Sequence, residues 1–174
     1  MDSRQLIHLR RAEPADAMAV ARVHVRSWQA AYRGLLPDEY LDGLRPEDRA
    51  TSYAFGGLEP DHPATIVSVE GEMIRGFATI GPSRDAGTEG IGALHALYVD
   101  PDSWDTGLGR TLIGEARQQL AGQGFEQAVL WVLVGNERAE RFYRKDGWAA
   151  DGSRRSDEVW SVAIDEVRYR RTLS

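Results

Sequence analysis

The stretch that most constrains the fold lies at residues 94–114, where the hydrophobic pattern changes its period. Residues 94–99 (LHALYV) are apolar, aromatic and β-branched, which predicts a buried strand. Asp100 and Pro101 end this strand, because proline has no N–H to donate to a sheet. From Gly107 onwards a helical face is predicted by the apolar residues Leu108, Leu112, Ile113, Ala116 and Leu120.

Two glycines, Gly107 and Gly109, lie where this loop becomes the helix. The first backbone N–H groups of a helix have no partner within it, and the helix dipole adds positive potential there. Glycines let a phosphate or pyrophosphate approach that backbone closely. A tight turn that needs glycine only for its dihedral angles explains the same residues. From these residues alone, both explanations stay open.

Two phosphate-binding motifs are excluded at this position. A P-loop requires G-x-x-x-x-G-K-[ST], and Gly109 and Gly114 have that spacing, but Glu115 occupies the lysine position. A dinucleotide fingerprint requires G-x-G-x-x-G, and Leu112 occupies the position of the third glycine.

Composition narrows the class of protein. The chain has 174 residues, 42% of them hydrophobic and 28% charged, which is typical of one globular domain. It has no long apolar run and no recognisable signal peptide, so we expect a cytoplasmic protein without a membrane partner. The net charge of −6 argues against nucleic acid as a partner. The absence of cysteine excludes disulfides and a cysteine nucleophile, and no metal-binding spacing is present.

The rest of the chain predicts further strands and helices on both sides of the central stretch. Strands are predicted at residues 6–9, 65–69, 74–80, 94–99, 127–134, 148–154 and 167–172. Helices are predicted at residues 13–34, 37–44, 46–53, from 107 to Gly122 or Gly124, and at 137–146. Loops are predicted at residues 55–63 and 81–92. Asn136 is a suitable N-cap for the last helix, whose inward residues are Ala139, Phe142 and Tyr143.

Three segments resemble the GNAT superfamily of N-acetyltransferases. LYVDP followed by WDTGLGRTLI is similar to the family's strand and its Q/R-x-x-G-x-G/A motif, although Trp104 stands where the family usually has Gln or Arg. Residues 136–148 (NERAERFYRKDGW) resemble the family segment N-x-x-A-x-x-F-Y-x-x-x-G-F/W. Residues 27–44 (SWQAAYRGLLPDEYLDGL) look like the first-helix region of many bacterial members. The resemblance therefore covers nearly the whole chain.

The resemblance implies a fold and an acceptor region. We expect one α/β domain spanning residues 1–174, with a mixed, mostly antiparallel sheet of about seven strands and helices on both faces. The sheet is expected to splay between the strands at 94–99 and 127–134. In the family the first helices cover the acceptor site, where Trp28 and Tyr32 are candidates; helix-to-sheet packing explains both equally well. A homodimer is common in the family and is an expectation here.

The resemblance also implies acetyl-CoA as co-substrate. Backbone groups of Leu97, Tyr98 and Val99 are expected to hold the pantetheine arm and polarise the thioester carbonyl. The backbone N–H groups expected to hold the pyrophosphate belong to Asp105, Thr106, Gly107, Leu108, Gly109 and Arg110. Asn136 is expected to contact the cofactor arm. Tyr143 is expected to contact the cofactor and to protonate the departing thiolate.

The general base is left open by the sequence. Many relatives carry a glutamate on the central strand, at the position that matches Ala93. Glu89 and His95 are the nearby candidates, and strand alternation places His95 on the face of Leu97 and Val99. An ordinary histidine pKa of about 6.5 suits proton removal at neutral pH. Deprotonation through water is an equally open alternative.

Together these residues predict acetylation of a primary amine by direct attack on acetyl-CoA, without a covalent enzyme intermediate. The acceptor is expected to be a small molecule or a peptide amine. The alternative is a non-catalytic acyl-CoA-binding domain that acts as a sensor or a partner. An enzyme that uses a longer acyl group, or that acylates a hydroxyl, also fits the sequence.

Overall fold

The computed structural model describes residues 6–56, 63–159 and 161–173, so the predicted loop at 55–63 lies largely outside the described residues. The strands are β1 (Ile7–Arg11), β2 (Ala64–Glu70), β3 (Met73–Pro82), β4 (Gly92–Val99), β5 (Gln127–Leu133), β6 (Ala149–Val159) and β7 (Val162–Thr172). The helices are α1 (Ala17–Ala31), α2 (Asp38–Asp42), α3 (Pro46–Ala50), α4 (Leu108–Gly122) and α5 (Glu137–Lys145). Single 3₁₀ turns at Pro14–Asp16 and Pro101–Ser103 precede α1 and α4.

All seven strands belong to one mixed sheet, in the order β1-β2-β3-β4-β5-β7-β6. Neighbouring strands are antiparallel except for β4 and β5, which are parallel. These two strands pair only at Gly92 with Ala128 and at Ala93 with Val129. Beyond those pairs they diverge, so the predicted splay of the sheet is confirmed.

Helices pack on both faces of the sheet, as predicted. On one face, Leu112 and Ile113 of α4 lie in a core cluster with Ile80 of β3 and Leu130 of β5. On the other face, Val20 and other apolar residues of α1 form a cluster with β2 and β3. The α5 helix also packs against the cluster that contains Leu112 and Ile113, because Ala139, Phe142 and Tyr143 point inward as predicted.

A β-bulge interrupts β4 at His95. Thr79 of β3 pairs with Ala96, whereas Ile80 pairs with Leu94, so His95 is an extra residue. Leu94 and Leu97 consequently contact the same core cluster although they are three positions apart, an odd spacing that regular alternation would place on opposite faces. The prediction that alternation places His95 on the face of Leu97 and Val99 is therefore wrong, because the bulge shifts the period of the strand.

Several predicted bounds are also wrong, and every strand except β5 is longer than predicted. The two C-terminal strands continue through polar residues to Val159 and back from Val162, since ladder hydrogen bonds do not require an apolar pattern. Strand pairing also shortens the predicted 81–92 loop to residues 83–91. Among the described residues, no helix combines the length and the apolar character needed to cross a membrane.

Candidate active site

A cavity of about 930 Å³ lies where β4 and β5 diverge. Its walls are formed by β4, β5, the first part of α4, the length of α5, and the end of α1. This volume is within the range of sites that hold a cofactor or a drug-sized ligand. The cavity brings together the predicted residues of β4, of the glycine turn and of α5, including Asn136 and Tyr143. Thr106 is the exception in the turn, since it lies outside the lining and its hydroxyl donates to the Ser103 carbonyl.

The β4 edge gives the cavity a row of backbone groups. Only the first two residues of β4, Gly92 and Ala93, pair with β5. The edge of β4 that faces β5 therefore has no strand partner at Leu97, Tyr98 and Val99. The Val99 carbonyl accepts a hydrogen bond from the Trp104 indole Nε1 at 2.9 Å. An unpaired strand edge can hydrogen-bond an extended ligand as an added strand would.

The two glycines of the turn have different roles. Gly107 is the N-cap of α4 and has a φ of +88°, a left-handed conformation that favours glycine. No side chain caps this helix, and the first N–H groups, those of Leu108, Gly109 and Arg110, have no intrahelical partner. A Cβ at Gly109 would lie 3.3 Å from two ring atoms of Phe142, so this glycine allows α5 to approach α4. The turn therefore presents free backbone donors at the cavity wall.

The α5 helix carries the two predicted side chains. The Asn136 Oδ1 accepts a hydrogen bond from the Ala139 backbone N–H at 3.3 Å, which confirms Asn136 as the N-cap. Tyr143 lines the cavity between the rings of Phe142 and Trp148, at centroid distances of 5.3 and 6.4 Å. Burial raises the pKa of Tyr143 above its ordinary value, so its hydroxyl stays protonated at neutral pH.

The wall of the cavity formed by α4 and α5 is basic, although the whole chain has a net charge of −6. Its cationic residues are Arg110, Arg117, Arg138, Arg141 and Lys145, of which Arg117 is ion-paired with Asp146 at 2.9 Å. Arg110 was predicted from the glycine motif for its backbone N–H, whereas the three cations of α5 were missed. Their spacing of three and four residues, which places them on one side of a helix, was the signal that could have found them.

The end of the cavity formed by α1 is lined by tyrosines. Tyr32 lines the cavity as predicted, and burial together with the nearby Tyr98 hydroxyl raises its pKa well above the ordinary value. Trp28 is instead buried in a core cluster with Leu41, away from the cavity lining. The acceptor contact of Tyr32 therefore stays a prediction, while Trp28 packs between helix and sheet.

A carboxylate that the sequence reasoning missed lies near this end. Glu166 of β7 is largely buried, and that burial raises its pKa, while the Arg155 Nε at 2.9 Å partly opposes the shift. Its charge contributes to the raised pKa values of Tyr32 and Tyr98. Alternation along β7 places Glu166 on the face of Ile164, and a charged residue on an apolar face was the available signal.

The two predicted candidates for the base lie in different surroundings. His95 lines the cavity, and its Nε2 lies 3.2 Å from the Pro82 carbonyl oxygen. Because a carbonyl only accepts, Nε2 donates and the Nδ1 lone pair is free of that bond. Desolvation and the nearby charge of Arg84 lower the pKa of His95. Glu89 is exposed in the 83–91 turn, outside the cavity lining.

Within the described part of the chain, no group of three or more histidine, aspartate or glutamate residues is arranged to hold a metal ion. The cavity thus combines backbone donors, the buried Tyr143 phenol, cations of α4 and α5, and two further tyrosines, Tyr32 and Tyr98.

Sequence comparison identifies the family. The model of the acetyltransferase (GNAT) family matches residues 25–148, which include β4, the glycine turn and α5. The chain belongs to the GNAT acetyltransferase family. The GNAT fold and an N-acetyltransferase class of enzyme follow from this match, and the resemblance found in the sequence is confirmed.

Relatives and solved structures agree with the GNAT assignment. The uncharacterized N-acetyltransferase YuaI of Bacillus subtilis (strain 168) is 29% identical over 134 residues, which cover 75% of this chain and 74% of YuaI. The PaiA N-acetyltransferase of Thermoplasma acidophilum, solved in complex with coenzyme A, has a TM-score of 0.73 and 18% identity, covering 96% of this chain and 99% of that one. YncA of Salmonella typhimurium, a putative acetyltransferase solved with its cofactor acetyl-CoA, has a TM-score of 0.70 and 18% identity, covering 97% and 95%.

Proposed function

We propose that this GNAT protein transfers an acetyl group from acetyl-CoA directly to a primary amine, with Tyr143 as the general acid. The observation that carries the proposal is the cavity between β4 and β5. It joins an unpaired strand edge, the free N–H groups of the α4 turn and the protonated Tyr143 hydroxyl. The structures of PaiA with coenzyme A and of YncA with acetyl-CoA share this fold and support the choice of cofactor.

The reaction can be written from groups that line the cavity. A neutral amine attacks the thioester carbonyl carbon, the new C–N bond forms, and the negative charge that develops on the carbonyl oxygen is stabilised by backbone N–H groups of β4. When the C–S bond breaks, the thiolate takes the Tyr143 proton. The amine loses its own proton to a base, and Tyr143 then regains a proton from water.

We propose that the pantetheine arm lies along Leu97, Tyr98 and Val99 and that the pyrophosphate lies at the α4 turn. The unpaired β4 edge supports the first position, and the uncapped N–H groups between Asp105 and Arg110 support the second. In this arrangement Asn136 contacts the cofactor arm through its amide nitrogen, because its Oδ1 already caps α5.

The acceptor amine then enters from the end of the cavity lined by Tyr32. We propose His95 as the base, since it lines the cavity, its Nδ1 lone pair is free of the Pro82 bond, and its lowered pKa keeps it neutral at pH 7. Deprotonation through water is the alternative. A His95→Gln variant separates them, because loss of the acidic limb of the kcat/KM profile supports His95 and an unchanged profile supports water.

The test is a screen of the purified protein with acetyl-CoA and a panel of polyamines, amino acids and peptides with free N-termini. Because the chain contains no cysteine, a thiol reagent detects only the CoA that is released. Turnover with an amine supports the proposal. Binding of acetyl-CoA without turnover of any amine favours the non-catalytic sensor, and turnover only with hydroxyl acceptors or longer acyl-CoAs redefines the substrates. The cytoplasmic location and the homodimer stay predictions.

A further inference from the structure

We propose that Arg138, held in place by Trp104, supplies the positive charge that binds the pyrophosphate of CoA in this protein. The inference rests on the proposed use of acetyl-CoA and adds a specific side chain to that site. Trp104 and Arg138 both line the cavity, as do Gly107 and Gly109 of the turn.

The first observation is the stacking of Arg138 on Trp104. The guanidinium carbon lies 3.6 Å from the centroid of the indole ring, well within the range of a cation–π interaction. The indole is itself fixed, because its Nε1 donates to the Val99 carbonyl at 2.9 Å. Stacking covers one face of the guanidinium and leaves the N–H groups at its edge available in one plane. These groups can donate hydrogen bonds to two neighbouring phosphate oxygens.

The second observation is the position of Arg138 relative to the α4 turn. Arg138 precedes Phe142 by one helical turn, and Phe142 lies against Gly109 of α4. Both Arg138 and the glycine turn line the cavity. The free N–H groups of α4 and the guanidinium therefore lie on the same wall, where each can hold one of two linked phosphates.

The third observation is the weak counter-ion of Arg138. Its Nη2 lies 3.6 Å from the Asp105 Oδ1, and the Asp105 side chain is 92% exposed. An exposed ion pair of this kind contributes little free energy, so a doubly charged pyrophosphate can replace the carboxylate. Asp105 is thus a weak competitor for the guanidinium, and removing its charge should favour the ligand.

The test compares Arg138→Gln with the wild type by calorimetric titration of CoA, 3′-dephospho-CoA and pantetheine. We expect a Kd for CoA and for 3′-dephospho-CoA that rises about tenfold or more, since hydrogen bonds to charged groups are being lost. Pantetheine has no phosphate, and its Kd should not change. The matched control is Arg22→Gln, which removes an exposed charge from α1 outside the cavity lining and should change none of the three values.

Asp105→Asn tests the opposite direction. Asparagine tolerates the left-handed φ of +62° at this position, so the turn can be kept while the competing charge is removed. We expect CoA to bind up to about fivefold more tightly, which is the size of an exposed ion pair. In an Arg138→Gln background the same substitution should have a smaller effect, because the guanidinium for which Asp105 competes is gone.

The outcomes are separable. An Arg138→Gln protein that binds CoA as tightly as the wild type overturns the assignment, and so does an equal loss with pantetheine, which would show an effect on cavity shape. A loss with CoA but not with 3′-dephospho-CoA overturns it too, because Arg138 would then contact the 3′-phosphate. If the wild-type protein binds no CoA species, the result contradicts the proposed function itself. Thermal unfolding of each variant shows whether the fold is intact.

Discussion

The Phe142 ring of α5 lies 3.3 Å from the point at which Gly109 of α4 would carry a Cβ. This contact brings the first turn of α4 against the second half of α5 at one wall of the cavity. The free N–H groups of α4 and the side chains of α5 are therefore positioned by the absence of a single side chain.

Gly109→Val should weaken acetyl-CoA binding and lower the free energy of unfolding by about 1–3 kcal/mol, because the added atoms overpack against Phe142. The matched control is Gly114→Ala in the same helix, where a Cβ would meet only the Arg117 side chain at 3.9 Å. That variant should gain about 0.5–1 kcal/mol, the usual difference between glycine and alanine within a helix. Urea unfolding measures both, and equal effects at the two glycines would contradict the packing role of Gly109.

Tyr143→Phe should lower kcat by about a hundredfold or more while acetyl-CoA binds as before, because only the proton donor is removed and the ring packing is kept. Steady-state kinetics and calorimetry separate the two effects. Tyr53→Phe is the control, since that hydroxyl interacts with His24 outside the cavity lining. Unchanged turnover in Tyr143→Phe would remove this residue from the mechanism.

Asn136 has two proposed roles that substitutions can separate. Asn136→Ala should lose about 1 kcal/mol of stability, because the cap on the Ala139 N–H disappears. Asn136→Asp keeps the capping oxygen and should retain stability, but it has no amide to donate to the cofactor arm. Both variants should therefore bind acetyl-CoA more weakly, while only the alanine variant unfolds more easily. Wild-type affinity in Asn136→Asp would leave Asn136 as a cap alone.

His24 should make the fold sensitive to mild acid. Burial, with a smaller contribution from the charge of Arg49, lowers the pKa of His24 to about 3, compared with about 6.5 in an unfolded chain. Below pH 6.5 the His24 imidazole is thus protonated in the unfolded state, whereas in the native state it stays neutral down to about pH 3. Stability is complete above pH 6.5 and falls as the pH decreases through that interval, by up to about 1.4 kcal/mol per pH unit.

His24→Asn tests this pH dependence, because the amide does not titrate and keeps a polar atom near the Tyr53 hydroxyl, which lies 2.7 Å from Nδ1. Between about pH 7 and pH 5 the wild type should lose roughly 2 kcal/mol more unfolding free energy than the variant. Urea titrations at several pH values provide the comparison. Parallel pH profiles for the two proteins would contradict the proposed burial of a neutral imidazole.

The elements that were predicted correctly depend on local chemistry. Apolar spacing indicated α4, capping chemistry indicated Asn136, and the inward face of α5 indicated Phe142 and Tyr143. Each of these signals lies within a few residues of the feature that it predicts. The splay of the sheet was predicted from the resemblance to the family, because no single segment of the sequence encodes it.

The features that were missed depend on contacts between distant segments. The bulge at His95 follows from the pairing of β4 with β3. The extra residue is neither proline nor glycine, so the sequence contains no local signal that predicts the bulge. The role inferred for Arg138 depends on the indole of Trp104, which lies 34 positions earlier in the chain. Glu166 approaches the tyrosine end of the cavity only because β7 pairs with β5.

The most direct test of the account is calorimetric titration of acetyl-CoA into the wild-type protein and into Gly107→Val. We expect one site per chain in the wild type. We expect much weaker binding in the variant, because valine tolerates a φ of +88° poorly and would crowd the free N–H groups of the α4 turn. Absence of binding to acetyl-CoA and to longer acyl-CoAs would mean that the glycine turn only connects a strand to a helix, and the proposed function would be wrong.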